Sequence, residues 1–195
     1  MPFIRTVPEK SAKSETAAMY KRAKDEFGRI PNFVKAFSHR PSVFNSWNDL
    51  LDSIKKNIGV RRYELVTIAA AKELRSSYCM LAHGSVLLGG HFDSGQLKAI
   101  VDTPEQSPLD AVDRAIMKFA VKVVRDAASI TEADIDGLRE HGLTDEEVFD
   151  IASVAAVRCF FTKTLDAIGV QPDSAYKNLE VKLRDSLVLG RPIED

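Results

Sequence analysis

The chain of 195 residues contains only two cysteines, Cys79 and Cys159. Two cysteines so far apart in the sequence are not the disulfide framework of a small secreted domain. The first residues, MPFIRTVPEK, also lack the basic-then-apolar pattern of a secretory signal. We therefore expect a cytoplasmic protein whose thiols are reduced.

An excess of charge of one sign and long hydrophobic runs are also missing. The formal net charge is −1 although 28% of the residues are charged. Basic and acidic side chains are mixed along the chain, so no broad field attracts nucleic acid or an anionic membrane. No apolar run approaches the roughly 20 residues needed to span a bilayer. The sequence therefore predicts a soluble globular protein with neither nucleic acid nor membrane as a partner.

Glycine and proline are scarce, with 10 and 8 residues, and they fall between periodic segments rather than inside them. Within the segments, apolar residues recur at spacings of three, four and seven. One such line is Phe44, Trp47, Leu50, Leu51 and Ile54. Alternating strand patterns are absent. This periodicity predicts an all-α fold, an antiparallel bundle of helices joined by short connections.

The pattern divides the chain into three parts. Residues 14–170 are predicted to form one helical domain, and residues 1–13 a loosely held N-terminal lead. Residues 171–195 follow a Gly-Val-x-Pro stop and form a C-terminal arm with apolar residues such as Leu183 and Leu187. This arm either packs on its own domain or lies across a partner subunit.

The segment LRSSYCMLAHG contains the clearest candidate for chemistry. On a helix, Cys79 and His83 are four residues apart and share a face, so the imidazole can come within reach of the thiol. A thiolate is the nucleophilic form of cysteine, and a neighbouring base or cation lowers the thiol pKa. If the preceding helix folds back, Glu64 can orient the histidine ring. The alternative is a buried small thiol beside a structural histidine. No metal-binding or nucleotide-binding motif appears, so neither a metal nor a cofactor is predicted.

The longer stretch YELVTIAAAKELRSSYCMLAHG resembles the signature of the alkyl hydroperoxidase D-like and carboxymuconolactone decarboxylase superfamily. Its members carry a glutamate, then a Cys-x-x-Cys pair, then a histidine after the second cysteine. Glu64, Cys79 and His83 fall in register with these three residues. The resemblance implies that Glu64 and His83 form a proton relay and that Cys79 attacks a peroxide, with Ser76 and Tyr78 shaping the pocket. The stretches GRIPNFVKAFSHRP and AAVRCFFTKTLDAIGVQPD also resemble the peroxidase-related branch.

The chain departs from that signature at Ser76, which replaces the first cysteine of the pair. A Cys-x-x-Cys site closes an internal disulfide after one sulfur becomes a sulfenic acid, and a single cysteine cannot do so. Cys159 lies in an apolar stretch where cysteine usually acts as a small hydrophobe. The resemblance thus implies an antioxidant hydroperoxide reductase that uses an external thiol and acts as a homo-oligomer, trimeric or hexameric.

Two alternatives remain open at this point. One is a lyase resembling the decarboxylase branch, with Glu64 and His83 as acid and base and Cys79 as a bystander. The other is a non-enzymatic redox sensor. A weak internal similarity, which pairs Cys79 with Thr162, suggests two related helical hairpins, although two amphipathic helices can resemble each other by chance.

Overall fold

The protein, seen here as a computed structural model that describes residues 2–195, is built from helices. These residues contain ten α-helices and no β-strand, which confirms the predicted all-α class. The helices are α1 (Ser14–Phe27), α2 (Asn32–Ala36), α3 (Pro41–Ile58), α4 (Val60–Glu73), α5 (Ser77–Leu88), α6 (Ser94–Asp102), α7 (Ala111–Asp126), α8 (Glu132–Glu140), α9 (Asp145–Ala167) and α10 (Val181–Leu187). No helix within residues 2–195 is long and apolar enough to cross a membrane.

Helix α4 forms the centre of the bundle. It packs against α5, α7 and α9, and every residue from Tyr63 to Ala71 is buried. A helix that is apolar on nearly all sides is stable only when other helices surround it. Glu64 lies within this buried stretch and is consequently only 5% exposed.

A tight reversal joins α4 to α5 at Arg75 and Ser76. Arg75 adopts a left-handed conformation with φ of 55°, which is uncommon for a residue with a side chain. Ser76 is extended and precedes the first turn of α5. The reversal lays α5 back along α4, so residues of the two helices face each other.

The C-terminal arm packs on its own domain. Leu183 and Leu187 of α10 are completely buried against α5 and α6. A Cβ atom added to Gly84 would lie 3.2 Å from Leu187 Cδ1, so the small residue of α5 allows this close approach. The backbone N–H of Gly190 donates to Ser77 Oγ at 2.8 Å. These contacts correspond to the first of the two alternatives predicted for the arm.

Two sequence expectations differ from the structure. The lead is tied to the domain rather than loosely held, because Val7 N–H donates to Ser38 Oγ and Tyr20 Oη donates to the Val7 carbonyl, at 2.9 and 2.7 Å. The second hairpin that the weak internal similarity suggests does not form, because residues 145–167 form one continuous helix. That segment has no glycine or proline to interrupt it.

Candidate functional site

A cavity of about 540 Å³ opens between α1, α3, α5 and α9. Its size lies within the range of sites that bind small organic molecules. Aromatic side chains cover much of its wall, including those of Phe33, Phe44, Trp47, Tyr63, Tyr78 and Phe161. The polar side chains of the wall include Glu64, Cys79, His83 and Arg158. The cavity therefore combines an apolar space with a small set of reactive and charged groups.

Glu64 and His83 meet across the interface of α4 and α5. Glu64 Oε2 lies 2.6 Å from His83 Nδ1, and both side chains are largely buried. The fold-back of α5 on α4 brings these two residues together, as expected from their positions in the sequence.

The second nitrogen of His83 is bound by Arg158 of α9. Arg158 Nη1 lies 2.8 Å from His83 Nε2. A guanidinium can only donate, so Nε2 accepts and the ring proton is on Nδ1, which donates to Glu64. Burial lowers the pKa of His83, the Glu64 carboxylate opposes this shift, and the positive charges of Arg158 and Lys55 add to it. The imidazole is therefore neutral and fixed in one tautomer.

Cys79 lines the same cavity but has a different partner. Its Sγ lies 3.2 Å from Thr162 Oγ1 of α9, and both residues are 1% exposed. No hydrogen bond joins Cys79 to His83 in residues 2–195, although the two residues share a helix face. The expected thiol–imidazole contact is thus absent, because Glu64 and Arg158 occupy both ring nitrogens.

The two predicted pocket residues separate in the structure. Tyr78 lines the cavity, and its hydroxyl donates to Asp173 Oδ2 and accepts the Phe33 N–H at 3.2 Å. Burial and the Asp173 carboxylate raise the pKa of Tyr78 far above its usual range, so the phenol is neutral. Ser76, by contrast, does not line the cavity, and its predicted pocket role is wrong. As the residue that precedes α5, it is buried with its hydroxyl toward the Asp166 carboxylate.

Sequence reasoning missed Arg158 and Thr162. Both lie on α9, far from Cys79 in the sequence, and the packing of α9 against α4 brings Arg158 to the cavity and Thr162 to the Cys79 sulfur. One signal was present: Arg158 is a charged residue in the apolar run VAAVRCFF. It is only 1% exposed. Charged side chains are rarely fully buried without a partner, so a charge in such a run indicates a specific interaction.

The neutral state of His83 has a consequence for stability. The unfolded chain protonates this histidine below a pH of about 6.5, whereas the folded protein resists protonation to a lower pH. The unfolded state then binds more protons, and the free energy of unfolding falls as the pH drops below about 6.5. One such group changes that free energy by at most about 1.4 kcal/mol per pH unit.

His83→Gln isolates this effect, since a glutamine amide can donate to Glu64 and accept from Arg158 but does not titrate. We expect urea unfolding at pH 7.5 and 5.5 to show a smaller loss of stability in the variant than in the wild type. Equal losses in both proteins would contradict a neutral buried imidazole.

Part of the sequence is similar to a known protein family. Residues 97–171 match the sequence model of the carboxymuconolactone decarboxylase family. This range runs from α6 through α9 and contains Arg158 and Thr162, but not Glu64, Cys79 or His83. No curated protein matches the chain significantly.

Several solved structures share the fold. One is a peroxidase-related protein with the alkylhydroperoxidase AhpD core from Ralstonia eutropha JMP134, with a TM-score of 0.81 and 23% identity over 90% of this chain and 94% of that one. A peroxidase-related protein from Silicibacter sp. TM1040 has a TM-score of 0.77 and 24% identity, with coverage of 91% and 92%. The debrominase Bmp8 in complex with 2,3,4-tribromopyrrole has a TM-score of 0.74 and 15% identity, with coverage of 93% and 95%. The arrangement of helices is thus common to proteins of different activities.

Proposed function

We propose that the chain is a thiol-dependent hydroperoxide reductase of the alkyl hydroperoxidase D-like and carboxymuconolactone decarboxylase superfamily, and that its reacting group is Cys79. The supporting observation is that a free cysteine lines an aromatic cavity beside a fixed imidazole and a buried guanidinium. An apolar cavity of this size suits an organic hydroperoxide better than hydrogen peroxide.

The proposed reaction transfers one oxygen atom to sulfur. Cys79 Sγ attacks the terminal oxygen of the hydroperoxide, the O–O bond breaks, and the thiol becomes a sulfenic acid while the leaving alkoxide becomes an alcohol. The thiol proton ends on that alcohol. Thr162 Oγ1, which contacts the sulfur, can accept this proton and donate its own. The positive charge of Arg158 favours the negative charge that develops on the leaving oxygen.

An external thiol completes the cycle. It condenses with the sulfenic acid to give a mixed disulfide and water, and a second thiol releases Cys79 and leaves as part of a disulfide. Cys159 is not suited to this resolving role, because it does not line the cavity and its thiol donates to the Ala155 carbonyl at 3.6 Å. Burial also raises the pKa of Cys159, which disfavours its thiolate.

Chemical trapping tests this assignment. After treatment with one equivalent of cumene hydroperoxide and then dimedone, we expect mass mapping to find the adduct on Cys79 and not on Cys159. The reason is that only Cys79 meets the cavity. A disulfide between the two cysteines would show that Cys159 resolves the sulfenic acid. Labelling of Cys79 without turnover in any thiol would favour a redox sensor.

One observation favours a second candidate, an acid–base lyase. Glu64 and His83 are hydrogen-bonded to each other, whereas Cys79 is bonded to Thr162 and to neither of them. A carboxylate–imidazole pair of this kind serves proton transfer without a thiol. In such an enzyme Cys79→Ser would keep activity and His83→Gln would lose it.

We also propose that the protein forms a homo-oligomer through the faces of α3 and α9. These helices border an apolar groove in which Leu50, Phe149 and Phe160 are 51%, 68% and 46% exposed. Large exposed apolar patches commonly mark interfaces. Light scattering is expected to give the mass of a trimer or hexamer, and Phe149→Ser with Phe160→Ser a smaller one. The mass of a single protomer for the wild type would contradict this proposal.

A further inference from the structure

Arg158 is incompletely paired for a charged side chain so deep in the protein. It is 1% exposed, and only Nη1 has a partner, the neutral His83 ring. Its Nε and Nη2 atoms are buried without any acceptor in residues 2–195. A guanidinium remains charged in proteins, and buried N–H groups without acceptors destabilise the folded state. An acceptor for these two atoms is therefore missing from the chain itself.

The positions of these two atoms indicate the shape of that acceptor. The Nε–H and Nη2–H bonds leave the same edge of a guanidinium in parallel. This edge is the one that binds both oxygens of a carboxylate. Nη1, the third nitrogen, is already used to hold His83. The free edge thus matches a planar anion with two oxygens.

The surroundings of Arg158 hold no such anion. Its guanidinium carbon lies 5.0 Å from the centre of the Trp47 ring and 5.3 Å from that of Phe161, and both rings line the cavity. The Glu64 carboxylate is reached only across the imidazole. Stacking on aromatic rings orients the cation but provides no oxygen to its N–H groups.

A second cation of the cavity wall is also without an ion-pair partner in the described chain. Lys55 Nζ lies 4.7 Å over the Tyr63 ring, and Arg158 lies 6.0 Å from the same ring. Glu26 and Asp52 line the cavity too, but from exposed positions on α1 and α3. Lys55 is exposed as well, and the buried carboxylate of the wall, Glu64, is already bonded to His83, so the unpaired N–H groups of Arg158 are the buried charged groups of the wall left without a partner in residues 2–195.

We infer that the cavity binds an organic molecule with an apolar body and one carboxylate, whose two oxygens accept from Arg158 Nε and Nη2. The body lies among the aromatic side chains of the wall. Combined with the proposed function, on which this step rests, the inference names the substrate class: an organic hydroperoxide that carries a carboxylate, such as a fatty-acid hydroperoxide. Recognition of the carboxylate itself needs no peroxide chemistry.

The single tryptophan of the chain makes the inference directly measurable, because Trp47 lines the cavity beside Arg158. The matched probes are 4-phenylbutyrate and its neutral amide, 4-phenylbutyramide, each titrated while Trp47 fluorescence is followed. We expect the carboxylate to bind the wild type at least about tenfold more tightly, the range of a charge-assisted bidentate pair.

Two variants serve as controls. Arg158→Met keeps an apolar stem of similar length between the rings, so it is expected to fold, to bind the amide as the wild type does and to lose the preference for the carboxylate. Arg158→Lys keeps the charge without the parallel N–H pair, so an intermediate preference is expected. Thermal unfolding confirms that each variant is folded.

Equal affinity of the wild type for the two probes, no binding of either, or a preference that survives in Arg158→Met would overturn the inference. Cys79→Ser separates this outcome from the fate of the proposed function, since Cys79 is not needed for carboxylate binding. If the wild type prefers the carboxylate probe tenfold but does not turn over peroxide, only the proposed peroxidase activity is rejected. Cys79-dependent turnover with equal probe affinities would reject only the carboxylate site.

Discussion

Replacement of Cys79 with serine is expected to reduce peroxide consumption at least about 10³-fold, the scale on which enzymes lose activity when the nucleophile is removed. A serine hydroxyl is nearly isosteric and can keep the contact with Thr162 Oγ1, so the fold is expected to survive. At neutral pH, however, a hydroxyl does not attack a peroxide oxygen, whereas a thiolate does. The measurement is the rate of loss of cumene hydroperoxide with several thiol reductants.

Cys159→Ser is the matched control, because the same atom is exchanged outside the cavity. We expect it to consume peroxide at the wild-type rate. If wild type and Cys79→Ser were equally slow, the peroxidase proposal would fail. Retention of an isomerising or decarboxylating activity in Cys79→Ser, with its loss in His83→Gln, would then assign the chemistry to the Glu64–His83 pair.

The second large effect concerns Asp173, which joins the C-terminal arm to the cavity wall. Its carboxylate accepts hydrogen bonds from the Tyr78 hydroxyl, from Arg29 and from the Asn32 N–H, the last at 3.1 Å. Asp173 is 3% exposed. Asp173→Ala would leave the buried Tyr78 hydroxyl without its acceptor, while the partly exposed Arg29 can regain water. We expect a loss of about 3 kcal/mol in the free energy of unfolding.

Urea unfolding at pH 7.5 measures this loss, with Asp25→Ala as the reference. Asp25 forms an ion pair with Lys21 on the surface of α1, and its side chain is 64% exposed. Such pairs contribute at most about 1 kcal/mol. If Asp173→Ala were no more destabilising than Asp25→Ala, the buried cluster would not hold the arm in place.

Features of the fold that depend on neighbouring residues can be predicted from the sequence, whereas those that depend on residues far apart cannot. Helix starts such as Asp93 and Thr131 follow from local side-chain hydrogen bonds, and both residues form the capping boxes typical of their sequences. The continuity of α9 follows from a segment that contains neither glycine nor proline. Local sequence patterns therefore predict where helices begin and end, but not how the helices pack against one another.

The contacts within the site also differ in how well the sequence predicts them. The meeting of Glu64 with His83 could be expected because neighbouring helices joined by a short turn pack antiparallel. The partners of Cys79 and His83 on α9, Thr162 and Arg158, could not, because their contact depends on how distant helices pack. The direct thiol–imidazole contact was wrongly expected, since helical spacing brings side chains near but does not decide which hydrogen bond each nitrogen makes.

The arm also gives the cavity a part of its wall, because Tyr176 lines it and packs edge-on against Tyr78 at 6.2 Å between ring centres. The matched family range ends at residue 171, just where this arm begins. The wall that Tyr176 provides therefore lies outside the matched range. A change in the arm is expected to alter which molecules the cavity admits without replacing Cys79 on α5 or Thr162 on α9.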